Sequence, residues 1–161
     1  MKIISIDPGY ERLGIAIIEH KKSSRDTLLY SQCFKTSKNE IFANRLKLIG
    51  VELEKIIKEY KPTALAIEKL YLTNNQKTAM NVAETRGVIL YIASKNNLSI
   101  HEYTPPEIKV ATTGYGKADK KMVMDMVPKL IQIKEKINSD DELDAIAIGL
   151  TCIACEHFST D

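Results

Sequence analysis

The sequence predicts an α/β fold built on one mixed, five-stranded sheet with helices on both faces. Three observations lead there. Short apolar runs with strand character recur along the chain, the first three in succession and the next two alternating with helical patterns. Two of these runs end in a carboxylate, at Asp7 and Glu68. The last third of the chain is helical in spacing and largely apolar at its end. A length of 161 residues suits one domain spanning residues 1–161 better than two.

The elements follow in order. Met1 to about Ile6 is an apolar run stopped by the turn signal Asp7-Pro8-Gly9. Gly14-Ile15-Ala16-Ile17-Ile18 reads as a second buried strand, Lys21-Lys22-Ser23-Ser24 as a hairpin loop, and Thr27 to about Phe34 as a third strand. From Asn39 to about Tyr60, apolar residues such as Leu46, Ile49, Leu53 and Ile56 recur at helical spacing. Pro62 ends that helix, because proline disfavours helical geometry in the residue before it. Thr63 to Glu68 follows a helix and so reads as a strand parallel to the first. Beyond the polar loop Thr73-Asn74-Asn75-Gln76 come a helix from about Lys77 to Lys95 and a strand from Leu98 to Tyr103. Thr112-Thr113-Gly114-Tyr115-Gly116 separates two short helical stretches, Lys134 to Ser139 is a polar linker, and Asp140 to about Phe158 is a final, largely buried helix.

Composition narrows the function classes. Hydrophobic residues make up 44% of the chain and charged residues 27%, an ordinary globular balance. No apolar run approaches the roughly 18 residues of a membrane span, and the first residues lack the apolar region of a signal peptide. Three cysteines (Cys33, Cys152, Cys155) cannot all pair within one chain, which points to a reducing cytoplasm. With a net charge of only +2, any nucleic-acid surface must come from clustering of basic residues on one face.

The carboxylates carry the chemistry. In open α/β sheets functional groups gather beyond the carboxyl ends of strands, so Asp7 and Glu68 become neighbours if their strands are adjacent and parallel. Asp141 and Asp144 lie three apart at the start of the last helix and share a face; so do Asp140 and Asp144, and spacing does not choose between them. Clustered carboxylates repel, and a divalent cation relieves this far better than a helix N-terminus does. An all-oxygen donor set suits Mg²⁺ or Mn²⁺ rather than zinc. Two such ions about 4 Å apart activate a water and stabilise the leaving oxygen in phosphodiester hydrolysis. Each feature alone has a plainer meaning: a turn, a solvated strand end, or an acidic helix start complementing the dipole. Their joint placement is what points to a metal site.

Lys109, Lys117, Lys120 and Lys121 flank the Gly-rich segment and read either as a solvated lysine face or as phosphate contacts beside the carboxylates. Arg86 and Lys77, on the helix after Tyr71, extend that track. Cys152-Ile153-Ala154-Cys155 lacks the second ligand pair of a zinc site and sits late in an apolar helix, so it reads as small core residues. His157 follows this pair but completes no four-ligand set.

The order of motifs resembles the RuvC family of Holliday-junction resolvases. Ile6-Asp7-Pro8-Gly9 with Gly14 is similar to the opening of that family, and Arg45-Leu46-Lys47-Leu48-Ile49 to its R-L-x-x-I. Ala66-Ile67-Glu68-Lys69-Leu70-Tyr71 resembles its I-E-x-x-F, and the stretch around Arg86-Gly87-Val88 its A-R-G-V region. Gly116-Lys117-Ala118-Asp119-Lys120 is similar to its basic G-x-A-x-K segment, and Asp141-Glu142-Leu143-Asp144-Ala145 to its D-x-x-D-A signature. The resemblance implies a ribonuclease H-like fold and a homodimer that nicks four-way DNA junctions in pairs, with a branch-migration complex as a further partner. It assigns metal binding and catalysis to Asp7, Glu68, Asp141 and Asp144, and so prefers Asp141 to Asp140. It puts Lys109 and Lys120 near the scissile phosphate and Tyr71, in place of the usual Phe, on an unpaired base. Glu142-Leu143 departs from the usual small pair and adds a negative charge near the site, and Met122 stands where the family often has Gln. Two rivals differ in class: an actin-like ATPase domain, for which the chain is too short, and a junction-binding protein without cleavage activity.

Overall fold

The computed structural model describes residues 1–70 and 76–156, with no side-chain description for Gln76 and Lys77. Among the described residues, five strands and five helices follow in the order β1 (Lys2–Asp7), β2 (Arg12–Glu19), β3 (Thr27–Lys35), α1 (Phe42–Tyr60), β4 (Ala64–Glu68), α2 (Gln76–Lys95), β5 (Ser99–Tyr103), α3 (Pro105–Thr113), α4 (Lys120–Leu130) and α5 (Asp140–Cys155). The sheet order is β3-β2-β1-β4-β5, antiparallel across β3-β2-β1 and parallel across β1-β4-β5. This is the mixed sheet that the sequence predicts. The first helix begins at Phe42 rather than Asn39 and ends where Lys61 adopts a left-handed conformation ahead of Pro62.

Alternation along the strands divides the core in two. Ile4, Ile6, Ile15, Ile17, Leu65 and Ile67 face one way and meet Ile49, Leu53 and Ile56 of α1 and Ile89 and Ile92 of α2. Ile3, Ala16, Ile18, Ala64 and Ala66 face the other way, against α3, α4 and α5. Side chains repeat every second residue, so Asp7 shares the face of Ile3, and Glu68 that of Ala64 and Ala66. Both carboxylates therefore point to the side on which α5 lies. The β1–β4 pairing runs to Ile6 opposite Ile67, so Asp7 and Glu68 stand together one step beyond it.

α5 crosses this face at close quarters. A Cβ placed on Gly149 would meet Ile18 Cδ1 at 2.6 Å and Ser5 Oγ at 2.7 Å, so the missing side chain lets the helix rest on β1 and β2. At its start, the Ser139 hydroxyl accepts from the Glu142 amide. The Glu142 carboxylate in turn accepts from the Ser139 hydroxyl at 3.1 Å, the Asn138 amide and, at 2.6 Å, the Ser31 hydroxyl of β3. Glu142 is thus buried in the helix cap. Its charge ties α5 to the sheet edge instead of adding to the acidic site, as the sequence suggested. Cys152 is buried as expected for a core residue, whereas Cys155 is exposed; His157 lies outside the described residues.

Candidate active site

Three carboxylates from three elements line one cavity of about 230 Å³: Asp7 at the end of β1, Glu68 at the end of β4 and Asp144 in the first turns of α5. Lys109 of α3 and Lys120 of α4 line the same cavity, and Ile108, Val123, Ala147 and Ile148 form its apolar wall. Lys120 donates to Asp144 Oδ2 at 2.9 Å and lies 3.8 Å from Asp140. α4 begins at Lys120 because the Asp119 side chain caps it, accepting from the Met122 amide.

The electrostatics show an acidic site short of positive charge. Burial, then the charges of Asp144, Glu68 and Asp141, push the Asp7 carboxyl up to about 7, against the opposing pull of Lys120. Burial and then Asp144 also raise Glu68, with Arg86 opposing. Asp144 is raised by burial in spite of its bond from Lys120. Three carboxylates at one cavity offer the hard oxygen donors that suit a divalent cation, and such an ion would offset the cost of burying their charge.

Asp141 stands apart from this group. The Arg12 guanidinium donates to its Oδ2 through Nε at 2.9 Å and also through Nη2, and the Cys33 thiol donates to the same oxygen at 3.3 Å. Burial alone would raise Asp141, but the Arg12 and Cys33 bonds outweigh it and hold the carboxyl below its ordinary value. Its side chain does not line the cavity of Asp7, although its charge reaches Asp7. Among the described residues, no three carboxylate, histidine or cysteine side chains are drawn up, as they stand, into an ion-binding cluster. Lys120 on Asp144 and Arg12 on Asp141 occupy two of the four candidate carboxylates. Asp140, the alternative that spacing left open, is exposed.

Two buried arginines hold the chain behind the strand ends. Arg45 donates to Thr36 Oγ1 at 2.8 Å and to the Tyr10 carbonyl at 3.1 Å, and its guanidinium lies 4.9 Å from the Tyr10 ring centroid. It thereby fixes the turn that follows Asp7. Arg86 is 7% exposed; it donates to the main-chain carbonyl of Glu68 and to the Glu102 carboxylate. Arg86, which the sequence offers as an extension of the lysine track, is enclosed between α2, β4 and β5. Lys117 is exposed in the segment before α4 and lies outside the cavity lining. Tyr71 lies outside the described residues, as does the side chain of Lys77. Arg12 and Cys33 went unnoticed as neighbours of Asp141, because only the β2–β3 pairing, Gly14 opposite Cys33, brings them to the start of α5.

Comparison with known proteins extends this picture. The family model described as crossover junction endodeoxyribonuclease RuvC matches residues 3–152. The RuvC of Fusobacterium nucleatum is 41% identical over 95% of this chain and 80% of its own length. That of Thermosipho melanesiensis is 41% identical over 97% of this chain and 98% of its own. Among solved structures, T. thermophilus RuvC in complex with Holliday junction substrate superposes with a TM-score of 0.88 at 29% identity, covering 95% of this chain and 93% of that one. The yeast mitochondrial Holliday junction resolvase Ydc2 shares the fold, with a TM-score of 0.71 at 14% identity over 94% of this chain and 77% of that one. The chain therefore belongs to the RuvC family of crossover junction endodeoxyribonucleases.

Proposed function

We propose that this protein is a structure-selective endonuclease that resolves four-way DNA junctions by paired, metal-dependent phosphodiester hydrolysis. One observation carries the reading: Asp7, Glu68 and Asp144, far apart in sequence, line one cavity together with Lys109 and Lys120. Family membership supports it, and the named substrate of the T. thermophilus relative supports the choice of junction DNA. Residues 1–161 act as one nuclease domain.

Asp7, Glu68 and Asp144 are the ligands we assign to Mg²⁺, with Mn²⁺ able to substitute, and Asp141 joins them once its carboxylate leaves Arg12. When bound, one or two such ions supply Lewis-acid stabilisation of the leaving oxygen and a water acidic enough to attack. Lys109 and Lys120 neutralise phosphate charge near the cut and so orient the strand, while reading no bases. Lys117 adds a more distant phosphate contact. Tyr71 stacks on an unpaired base at the crossover, for which an aromatic is worth about 1–3 kcal/mol. Paired nicks need two sites facing one ligand, which suits a two-fold homodimer. Exposed Met80 and Tyr91 on α2, and Leu48 and Val51 on α1, are apolar surface available for that contact. A branch-migration complex is the further partner we expect. No helix among the described residues is long and apolar enough to cross a membrane, and work on chromosomal junctions suits a cytoplasmic protein.

The test is cleavage of four-way and linear DNA with Mg²⁺ or with chelator. Paired nicks near the crossover with metal only, and junction binding in both conditions, are expected. Equal cutting of linear duplex would remove structure selectivity, and binding without metal-dependent nicking would leave only a junction-binding protein. Asp7→Asn and Glu68→Gln should bind junctions and not cut them.

A further inference from the structure

Arg86 is a permanent cation placed where water hardly reaches it. Guanidinium does not give up its proton, so burying it costs several kcal/mol unless each face finds an acceptor. Both acceptors here are specific. One is the backbone carbonyl of Glu68, at the point where β4 leaves the sheet; the other is the carboxylate of Glu102 on β5. The neighbouring strand adds a third tie, since the Lys69 amide donates to the Tyr103 carbonyl at 2.8 Å. Pairing of β4 with β1 has ended one residue earlier, at Ile67. The backbone that carries the Glu68 side chain is therefore held from β5 and, through Arg86, from α2.

We propose that Arg86 is the positioning residue of Glu68: it fixes the strand-end peptide so that the carboxylate faces the cavity shared with Asp7 and Asp144, and Glu102 fixes Arg86 in turn. This rests on the reading of Glu68 as a cation ligand. A ligand carboxylate is only as well placed as its main chain, and groups that orient ligands typically matter 10- to 100-fold in metal affinity or activity. A phosphate contact is the competing role, and it requires an exposed guanidinium. Arg86 is 7% exposed.

The experiment compares the full-length wild type with Arg86→Lys, Glu102→Gln and Glu68→Gln. Lysine keeps the charge but presents a single ammonium that does not span both acceptors. Glu102 sits at the surface end of the pair, so its amide variant keeps the fold even if Arg86→Lys does not. Four quantities are read: Mn²⁺ affinity without DNA, junction affinity in chelator over a salt series, kcat at saturating junction, and the unfolding midpoint. Arg86→Lys is expected to lower Mn²⁺ affinity and kcat about tenfold, with kcat partly restored by excess Mn²⁺. Glu102→Gln is expected to shift both in the same direction by less. Junction affinity in chelator and its salt slope stay at the wild-type value in both.

Two results overturn the proposal. Weaker junction binding in chelator with a salt slope reduced by about one would make Arg86 a phosphate contact. Unchanged Mn²⁺ affinity and kcat per folded molecule in Glu102→Gln, or in a folded Arg86→Lys, would leave Arg86 with support of the fold alone. Glu68→Gln separates this from failure of the underlying reading: if that variant binds Mn²⁺ as the wild type does, Glu68 is not a ligand at all.

Discussion

Gly14 of β2 lies directly beneath the backbone of Asp141: a Cβ at Gly14 would stand 2.1 Å from the Asp141 carbonyl oxygen and 3.2 Å from Asp7 Cβ. The start of α5 therefore reaches Asp7 only because residue 14 has no side chain. A methyl group there meets backbone, which cannot swing aside, and forced overpacking typically costs about 1–3 kcal/mol or more. Gly14→Ala is expected to lose at least about 2 kcal/mol of stability and most of its cleavage. Gly149→Ala, about two helical turns beyond Asp141 on α5, collides with Ile18 Cδ1 and the Ser5 hydroxyl. It should lose stability while retaining much more activity per folded molecule. Urea unfolding and cleavage measured on the same samples check this; equal activity losses would detach Gly14 from the site.

If Asp141 is a cation ligand, as proposed, Arg12 competes with the ion for its carboxylate. Arg12 and Cys33 converge on a single oxygen of Asp141 and turn it toward β2 and β3. Arg12→Ala is expected to lower the Mn²⁺ concentration needed for half-saturation by a few-fold, an effect limited by the exposure of the guanidinium. A higher midpoint would mean the opposite, that Arg12 holds Asp141 in the orientation the ion requires. Calorimetric titration without DNA reads the sign directly.

Stability should depend on pH through Asp7. Its carboxyl titrates near 7 in the folded chain against 3.8 for the free side chain. Between these values the folded protein keeps a proton that the unfolded chain has released, so the stabilisation is complete below about pH 4 and is lost as pH rises through about 7. In chelator, the wild type is expected to weaken over this window by up to a few kcal/mol, and Asp7→Asn to weaken less and exceed it at pH 8. Mg²⁺ or Mn²⁺ should reverse the order by binding the ionised form. Thermal unfolding across the pH series, with and without cation, decides; parallel curves for the two proteins would mean that Asp7 ionises without strain.

The sequence made the sheet legible because each strand is a short isoleucine- and alanine-rich run with a clear stop, as at Asp7-Pro8-Gly9. Parity along β1 and β4 then puts Asp7 and Glu68 on one face, and the helical repeat adds Asp144. What escaped depends on contacts between distant segments. Glu142 reads as one more acidic residue until Ser31, 111 positions earlier, is seen donating to it. Arg86 sits on a helix of low amphipathic contrast, where a buried arginine and an exposed one share the same spacing; only its acceptors, Glu68 and Glu102, show which it is. Arg12 has no periodic signature at all, since its partner is 129 residues away.

The Lys120 ammonium pairs with Asp144 and is also a proposed phosphate contact, and the two roles compete. It bonds Asp144 at 2.9 Å with its side chain more than half exposed, and so places a positive charge on that carboxylate. A cation bound at Asp144, as proposed, would displace that bond and release the ammonium for a phosphate. Lys120→Ala should therefore weaken junction binding more in the presence of Ca²⁺ than in chelator. Its salt dependence should flatten by about one contact. Lys120→Arg should restore binding better than cleavage, since a planar fork meets phosphate from a different distance than an ammonium does. Lys117→Ala, outside the cavity lining, should flatten the salt dependence without lowering kcat. A Lys120→Ala protein with wild-type salt dependence would confine Lys120 to the ion pair with Asp144 and leave Lys109 as the cavity's phosphate contact.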